Sequence, residues 1–258
     1  MCNICVILKK MDAIPKVIHY CWFGRGPKPQ SVLECISSWH KFMPDYHVKE
    51  WNEDNFDVQM TKYVEEAYRA GSYAHVSDVA RFWILYNFGG VYFDTDIELL
   101  QSIDDIVSQG PFMGFEAVSD VKRKTVNPGL GIAAPAGHPF YKRVLDFYNG
   151  RHFIRMDGKS TGTVMKAMSK LMENMDFTPP HGENAVRFED INIYPSEYFC
   201  PYNYYTGVLE KTDRTRSVHR YDSTWLDTNT SKSHKLKRRL FYIRTRLSVA
   251  FRRLFSKS

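Results

Sequence analysis

The apolar positions of this chain fall into two kinds of run, short continuous ones and longer ones with helical spacing, and their order sets the fold class. Lys16 to Phe23 is a compact apolar run ended by Gly24-Arg25-Gly26-Pro27-Lys28-Pro29, the pattern of a buried strand entering a loop. Ser31 to Lys41 then places Val32, Cys35, Ile36 and Trp39 on one helical side, and Tyr46 to Trp51 reads as a second strand behind Pro44-Asp45. A β-α-β opening of this kind begins a Rossmann-like α/β sheet, which gathers ligands at the loops that follow its strands. Thr61 to Phe88 predicts two helices broken near Gly71-Ser72, with Gly89-Gly90 as helix cap and turn. Val91-Tyr92-Phe93 is a short buried strand that runs into Asp94-Thr95-Asp96. Further along, Pro111 to Glu116 and Leu130 to Ala134 read as strands, and His138 to Tyr148 and Thr163 to Met172 as helices.

Length and composition narrow this picture without changing it. At 258 residues the chain has room for one sizeable α/β domain, and 43% apolar residues is the composition of a globular protein. The net charge of +6 is misleading, because residues 232 to 258 hold ten Lys or Arg and no acid. Subtracting them leaves −4 for the remainder, which argues against a nucleic-acid-binding body and for a local electrostatic anchor. Two regions are therefore expected, a catalytic domain over 1–231 and a basic tail over 232–258. In the tail, Leu236, Leu240, Ile243, Leu247, Phe251 and Leu254 recur at steps of three and four, the pattern of a basic amphipathic helix on an anionic membrane surface. A solvated helix, or one packed on a partner, has the same pattern. Cys2 and Cys5 have C-x-x-C spacing but no second pair, and Cys21, Cys35 and Cys200 are scattered, so free thiols in a reducing compartment are expected. No export signal and no membrane span is read from the sequence.

Asp94 and Asp96 are the sharpest chemical signal. If the segment is extended, residues i and i+2 point to one side, and two carboxylates can face one hard cation, Mg²⁺ or Mn²⁺, with diphosphate oxygens completing its shell. A solvated turn after a strand gives the same D-x-D. The surroundings add weight. Tyr73-Ala74-His75-Val76-Ser77-Asp78-Val79-Ala80-Arg81-Phe82, followed by Gly89-Gly90-Val91-Tyr92-Phe93-Asp94-Thr95-Asp96-Ile97-Glu98, resembles the sugar-binding region of glycosyltransferase family 32 and its relatives, among them yeast outer-chain mannosyltransferases, bacterial capsule transferases and, more distantly, the glucosylating domains of clostridial toxins. Ile14 to Gly24 resembles the first strand of the same family.

That resemblance implies a GT-A type fold, a mixed Rossmann-like sheet flanked by helices, and a set of roles. Trp22 would stack on the nucleotide base, or else be a core tryptophan. Asp78 and Arg81, one helical turn apart, would meet the donor sugar and its diphosphate, although i, i+3 ion pairs are also common on surfaces. Asp96 would be the direct metal ligand and Asp94 would assist it while touching the ribose or sugar. Asn127, in Asn127-Pro128-Gly129, is similar to an asparagine that approaches the donor, or else is an asparagine in a turn before proline. Val218 to Trp225 resembles the family's closing His and Ser-x-Trp element, so His219 and Ser223 would complete the metal shell and Trp225 would close over the donor. Thr163 stands where the family's Thr-Gly-Pro turn has proline.

The expected activity is that of a retaining, metal-dependent glycosyltransferase. It would move a hexose or N-acetylhexosamine from a nucleotide-diphosphate sugar, UDP preferred over GDP, to a hydroxyl of a glycan acceptor. The preference for UDP follows the resemblance to capsule-type members, and the membrane-surface tail suits an enzyme that extends a lipid-linked glycan, in surface polysaccharide synthesis at the inner face of the cytoplasmic membrane. A non-catalytic nucleotide-sugar or glycan-binding module is the alternative. A haloacid-dehalogenase phosphatase would want its Asp pair on the first strand, where this chain has Trp22.

Overall fold

The computed structural model describes residues 13–116, 125–154, 162–179, 184–203 and 208–221. The Cys2/Cys5 pair, His181, the Ser160-Thr161 turn, Ser223, Trp225 and the basic tail lie outside them.

The chain order is β1 (Val17–Cys21), α1 (Gln30–Phe42), β2 (His47–Trp51), α2 (Lys62–Arg69), α3 (Tyr73–Phe88), β3 (Gly90–Tyr92), β4 (Ile97–Leu99), α4 (Asp104–Val107) and β5 (Phe112–Glu116). It continues with β6 (Thr125–Val126), β7 (Ile132–Ala134), α5 (Pro139–Tyr148), α6 (Val164–Glu173), β8 (Val186–Phe188), β9 (Ile191–Tyr194), α7 (Ser196–Phe199) and β10 (Ser217–His219). The main sheet runs β2-β1-β3-β7-β5-β9-β8, with β6 paired to β5, and β10 and β4 form a separate ribbon. Strands β2, β1 and β3 are parallel, β7 is antiparallel to both β3 and β5, and β9 returns parallel to β5. The sheet is thus mixed and Rossmann-like, as the family resemblance implies.

Period-two alternation sends side chains to two cores, one on each face. Cys21, Tyr92, Met113, Phe115, Ile132 and Ala134 face the core built with α2, α3, α5 and α6. Ile18, Tyr20, Val91, Phe112 and Ala133 face the opposite core, which includes Trp39 of α1 and Phe199 of α7. Helix α3 is buried on nearly every side, with Val76, Val79, Phe82 and Leu85 at 0% exposure. That explains its nearly all-round apolarity. The break before it is made by Gly71 at φ 66°, and α2 starts with Thr61 accepting the Val64 amide.

The α3–β3 junction needs its glycines. Gly89 caps α3 at φ 64° and Gly90 opens β3 at φ 103°. A Cβ on Gly90 would stand 2.7 Å from the Val17 carbonyl oxygen and 3.0 Å from the His19 ring. His19 in turn fastens the junction: its Nε2 lies 3.0 Å from the Gly89 carbonyl, and its Nδ1 receives the Trp51 indole N–H at 3.0 Å. These partners fix a neutral ring with the proton on Nε2. Burial drives the His19 pKa down to about 4.

Candidate functional site

The carboxyl ends of β1 and β3 lie side by side, where the strand order reverses, β2 lying on one side of β1 and β3 on the other. Open α/β sheets bind ligands at such a switch point. After Phe93 the chain leaves the strand, and the Ile97 amide bonds back to the Asp94 carbonyl at 3.1 Å. Asp94 and Asp96 therefore occupy a turn. The extended i, i+2 geometry assumed for them does not hold, and each carboxylate meets a different neighbour.

Asp94 faces Arg81. The guanidinium reaches Asp94 through Nη1 at 3.2 Å and Nη2 at 3.1 Å, a bidentate contact, and reaches Asp78 through Nη2 at 3.0 Å. Its Nε donates to the Ser77 carbonyl, and the Tyr92 hydroxyl donates to Asp94 at 3.2 Å. Asp78 and Arg81 are 7% and 3% exposed, so the surface ion pair open to the sequence reading is excluded. They are the charged half of a buried Asp–Arg–Asp triad reached from helix α3. Burial raises the Asp78 pKa to about 7, against the pull of Arg81 and with the Asp94 charge adding to the rise. Asp94 is raised for the same first reason, with Arg81 opposing and Asp96 adding. The Val164 amide, at the start of α6, hydrogen-bonds Asp78.

Asp96 faces His219. Strand β10 pairs with β4 so that His219 sits opposite Ile97, and His219 Nε2 lies 3.1 Å from Asp96 Oδ2. Burial pulls the imidazole down, but the Asp96 charge and hydrogen bond, with Cys200 adding, hold its pKa well above the ordinary histidine range. The next residue, Arg220, donates its amide to the Asp96 carbonyl and its guanidinium to Glu98 at 2.9 Å and Glu34 at 2.8 Å, latching the ribbon to α1.

Asn127 is buried at the end of β6, and its Oδ1 accepts the Gly129 amide at 2.8 Å. The Gly129 carbonyl accepts the Asp94 amide, and a Cβ on Gly129 would fall 2.1 Å from Asp94 Oδ2. Only glycine lets this turn lie on the carboxylate. Trp22 follows β1 half-buried, packed against the α1-side core, with its indole N–H given to the Gly26 carbonyl at 2.7 Å. Of the sequence-predicted residues, the structure brings Asp78, Arg81, Asp94, Asp96, Asn127 and His219 into one connected set, and Ser223 and Trp225 lie outside the described residues. His152 is exposed and pairs with Glu66.

Three residues of this set have no signal in the sequence pattern: Glu116, Cys200 and Tyr221. The Tyr221 hydroxyl donates to Glu116 at 2.9 Å and lies 3.2 Å from Cys200 Sγ. They come from three separated segments, so no spacing rule could have joined them.

Among the described residues no three His, Cys, Asp or Glu side chains converge at metal-holding spacing. The donors present still fit a divalent cation. Asp96 offers an oxygen, and His219 would offer Nε2 once a cation displaces the proton between the two, a mixture that suits Mn²⁺, with the Asp94 carboxylate in the same turn but already held by Arg81.

Residues 29–113 match the model of the glycosyltransferase sugar-binding region containing a DXD motif. That span includes Asp78, Arg81, Asp94 and Asp96, but not Trp22, Asn127 or His219. The chain is 28% identical over 137 residues to inositol phosphoceramide mannosyltransferase 3 of Schizosaccharomyces pombe, covering 52% of this chain and 36% of that protein. It is 24% identical over 202 residues to an uncharacterised glycosyltransferase of Acanthamoeba polyphaga mimivirus, covering 74% and 75% of the two chains. The chain thus spans about a third of the length of the first relative and three quarters of the second. Among solved structures, a glycosyltransferase involved in glycosylation of the major capsid of PBCV-1 aligns over 82% of this chain and 95% of its own, at 10% identity and a TM-score of 0.45. Asp94-Thr95-Asp96 falls within the matched region as its DXD motif, and the relatives that share that region are glycosyltransferases.

Proposed function

We propose that the chain transfers a hexose or N-acetylhexosamine from a nucleotide-diphosphate sugar, with a UDP donor preferred, to a hydroxyl of a glycan acceptor. The observation that supports this most is the meeting of two differently partnered carboxylates at the end of β3, Asp94 in the buried triad with Arg81 and Asp78, and Asp96 against His219. A nucleotide-sugar needs both. Its diphosphate gains negative charge as the sugar departs, and a preorganised cation opposite that charge stabilises it. In this reading Asp78 and Arg81 bind the sugar and diphosphate side of the donor, Asn127 orients it from β6, and Trp22 lies under the base. Asp96 and His219, with Asp94 and Ser223, would hold Mn²⁺ or Mg²⁺, which supplies Lewis-acid charge at the diphosphate when bound.

Retention of configuration is proposed from the family resemblance. A lipid-linked acceptor in surface polysaccharide synthesis, and an enzyme peripheral on the inner membrane face through a helix over 232–258, are proposed from the tail's sequence pattern. No helix among the described residues is long and apolar enough to cross a membrane.

The deciding experiment is a screen of UDP- and GDP-sugars for Mn²⁺-dependent release of nucleoside diphosphate, comparing the native chain with Asp96→Ala. Release from one donor, reduced by about 100-fold or more in the variant, is the expected result. Donor binding without release, by the native chain as by the variant, would move the assignment to a non-catalytic nucleotide-sugar-binding module.

A further inference from the structure

Tyr221 has φ 54°, in the left-handed region that a residue with a Cβ seldom occupies. Such a conformation persists where the surroundings over-determine it, and at functional sites it often aims a side chain. Here several contacts hold it, among them a ring contact with Tyr202. The Tyr221 ring lies on the His219 ring, with centroids 3.8 Å apart and planes tilted 39°. Its hydroxyl donates to Glu116 Oε1 at 2.9 Å, and the same oxygen meets Cys200 Sγ at 3.2 Å. The same thiol donates to the Tyr202 carbonyl at 3.7 Å.

Glu116 ends β5 and is the meeting point of two chains of contact. One runs from Glu116 to Tyr221, to the His219 ring, and to Asp96. The other runs from Glu116 to the Asn127 amide, through Asn127 Oδ1 to the Gly129 N–H, and from the Gly129 carbonyl to the Asp94 amide. The two aspartates of Asp94-Thr95-Asp96 point to different partners, yet one carboxylate at the end of β5, two strands away from β3, braces both sets of partners.

We propose that Glu116 and Tyr221 are positioning residues that act as one unit, holding the His219 ring and the Asn127 turn so that Asp96 and Asp94 present a fixed arrangement to the donor. The placement of the His219 ring is the part read directly from the structure; its consequence for a bound cation rests on the function proposed above. Partners behind a metal-binding side chain commonly contribute about 10- to 100-fold to affinity.

The test uses the full chain, native and as Tyr221→Phe, Glu116→Gln, Glu116→Ala and the double variant Tyr221→Phe/Glu116→Ala. The side-chain ¹⁵N and ¹H signals of His219, identified by their loss in His219→Ala, are recorded without metal, and Mn²⁺ affinity is titrated by calorimetry with UDP present. In the native chain His219 should give one sharp set of signals; in Tyr221→Phe and Glu116→Ala it should shift and broaden. Glu116→Gln, whose amide oxygen still accepts the tyrosine proton, should return it most of the way. Mn²⁺ affinity should fall by about 10-fold in the same order, with the double variant no weaker than the weaker single one. A merely structural role would lower the melting temperature while leaving the His219 signals of the folded protein where they are. Unmoved signals in both Tyr221→Phe and Glu116→Ala overturn the inference whatever Mn²⁺ does. If the native chain binds no Mn²⁺, the proposed metal dependence fails, and the His219 signals still decide the positioning role.

Discussion

Two buried histidines mark the two ends of β3, and their environments drive them to opposite charge states. His19, beside Gly89-Gly90 at the start of the strand, gives one nitrogen to a carbonyl and the other to an indole N–H, and burial outweighs the pull of the carbonyl so that the ring is neutral. His219, beyond the far end, loses the same solvation but faces the Asp96 carboxylate, and the charged ring wins. Burial alone is a common cost. The sign of the outcome is set by whether the partner is a dipole or a charge. One end of the strand is thereby built as a fixed neutral joint, and the other gathers unlike charges that an anionic donor and a cation can exploit.

The largest test of that contrast is Arg81→Ala at the charged end. It leaves Asp78 and Asp94 buried side by side without their cation, and breaking a buried pair in this way costs about 3–5 kcal/mol. Urea unfolding at neutral pH should show that loss, and most of it should return at pH 5, where Asp78 takes up a proton. A variant as stable as the native chain would mean the triad is not a stabilising charge set.

At the neutral end the prediction is a pH slope. The His19 pKa falls from 6.5 in the unfolded chain to about 4 in the fold, so the unfolded state binds the proton first as pH drops. Stability from this group is complete above about pH 6.5 and is lost progressively down to about pH 4. The loss is about 3 kcal/mol over that range. Asp78 works in the opposite sense: with its pKa raised from 3.8 to about 7, its penalty is relieved as pH falls across that window. The His19 share is isolated by comparing the native chain with His19→Gln, whose stability should fall less on acidification. Equal slopes would show that His19 is not the group responsible.

The smallest predicted effect tests how tightly the charged end is built. Gly129→Ala adds one methyl at 2.1 Å from Asp94 Oδ2, which the turn or the carboxylate must move to admit. A destabilisation of about 1–3 kcal/mol is expected from this overpacking, accompanied by a larger fall in donor affinity than in stability. Calorimetric donor binding at native strength would show that Asp94 can move without consequence.

Much of this was legible from local pattern. The β1-α1-β2 opening, the helix break at Gly71-Ser72, the cap at Gly89 and the end of β3 all come within one or two residues of their predicted places, because apolar periodicity and glycine and proline chemistry act over a few residues. Asp78, Arg81, Asp94 and Asp96 stood out in sequence for a related reason, being close together in the chain and part of a known motif. Their relations were misjudged where the inference used local geometry alone. Asp94 and Asp96 were placed on one face of an extended segment, whereas the chain turns there and separates them.

Local pattern alone therefore yields an α/β chain with Rossmann-like order, an acidic body with a basic tail, and a D-x-D at the end of its third strand. Only the tertiary structure decided that β7 enters antiparallel between β3 and β5, that Asp78 and Arg81 are buried, and that β10 brings His219 to Asp96 across 123 residues of chain. It alone joined Glu116, Cys200 and Tyr221. The physical reason is range. Strand and helix periodicity is fixed by each residue's near neighbours, but strand partners, burial and the charge state of a histidine are fixed by whatever the fold places against it, and that leaves no periodic mark along the chain.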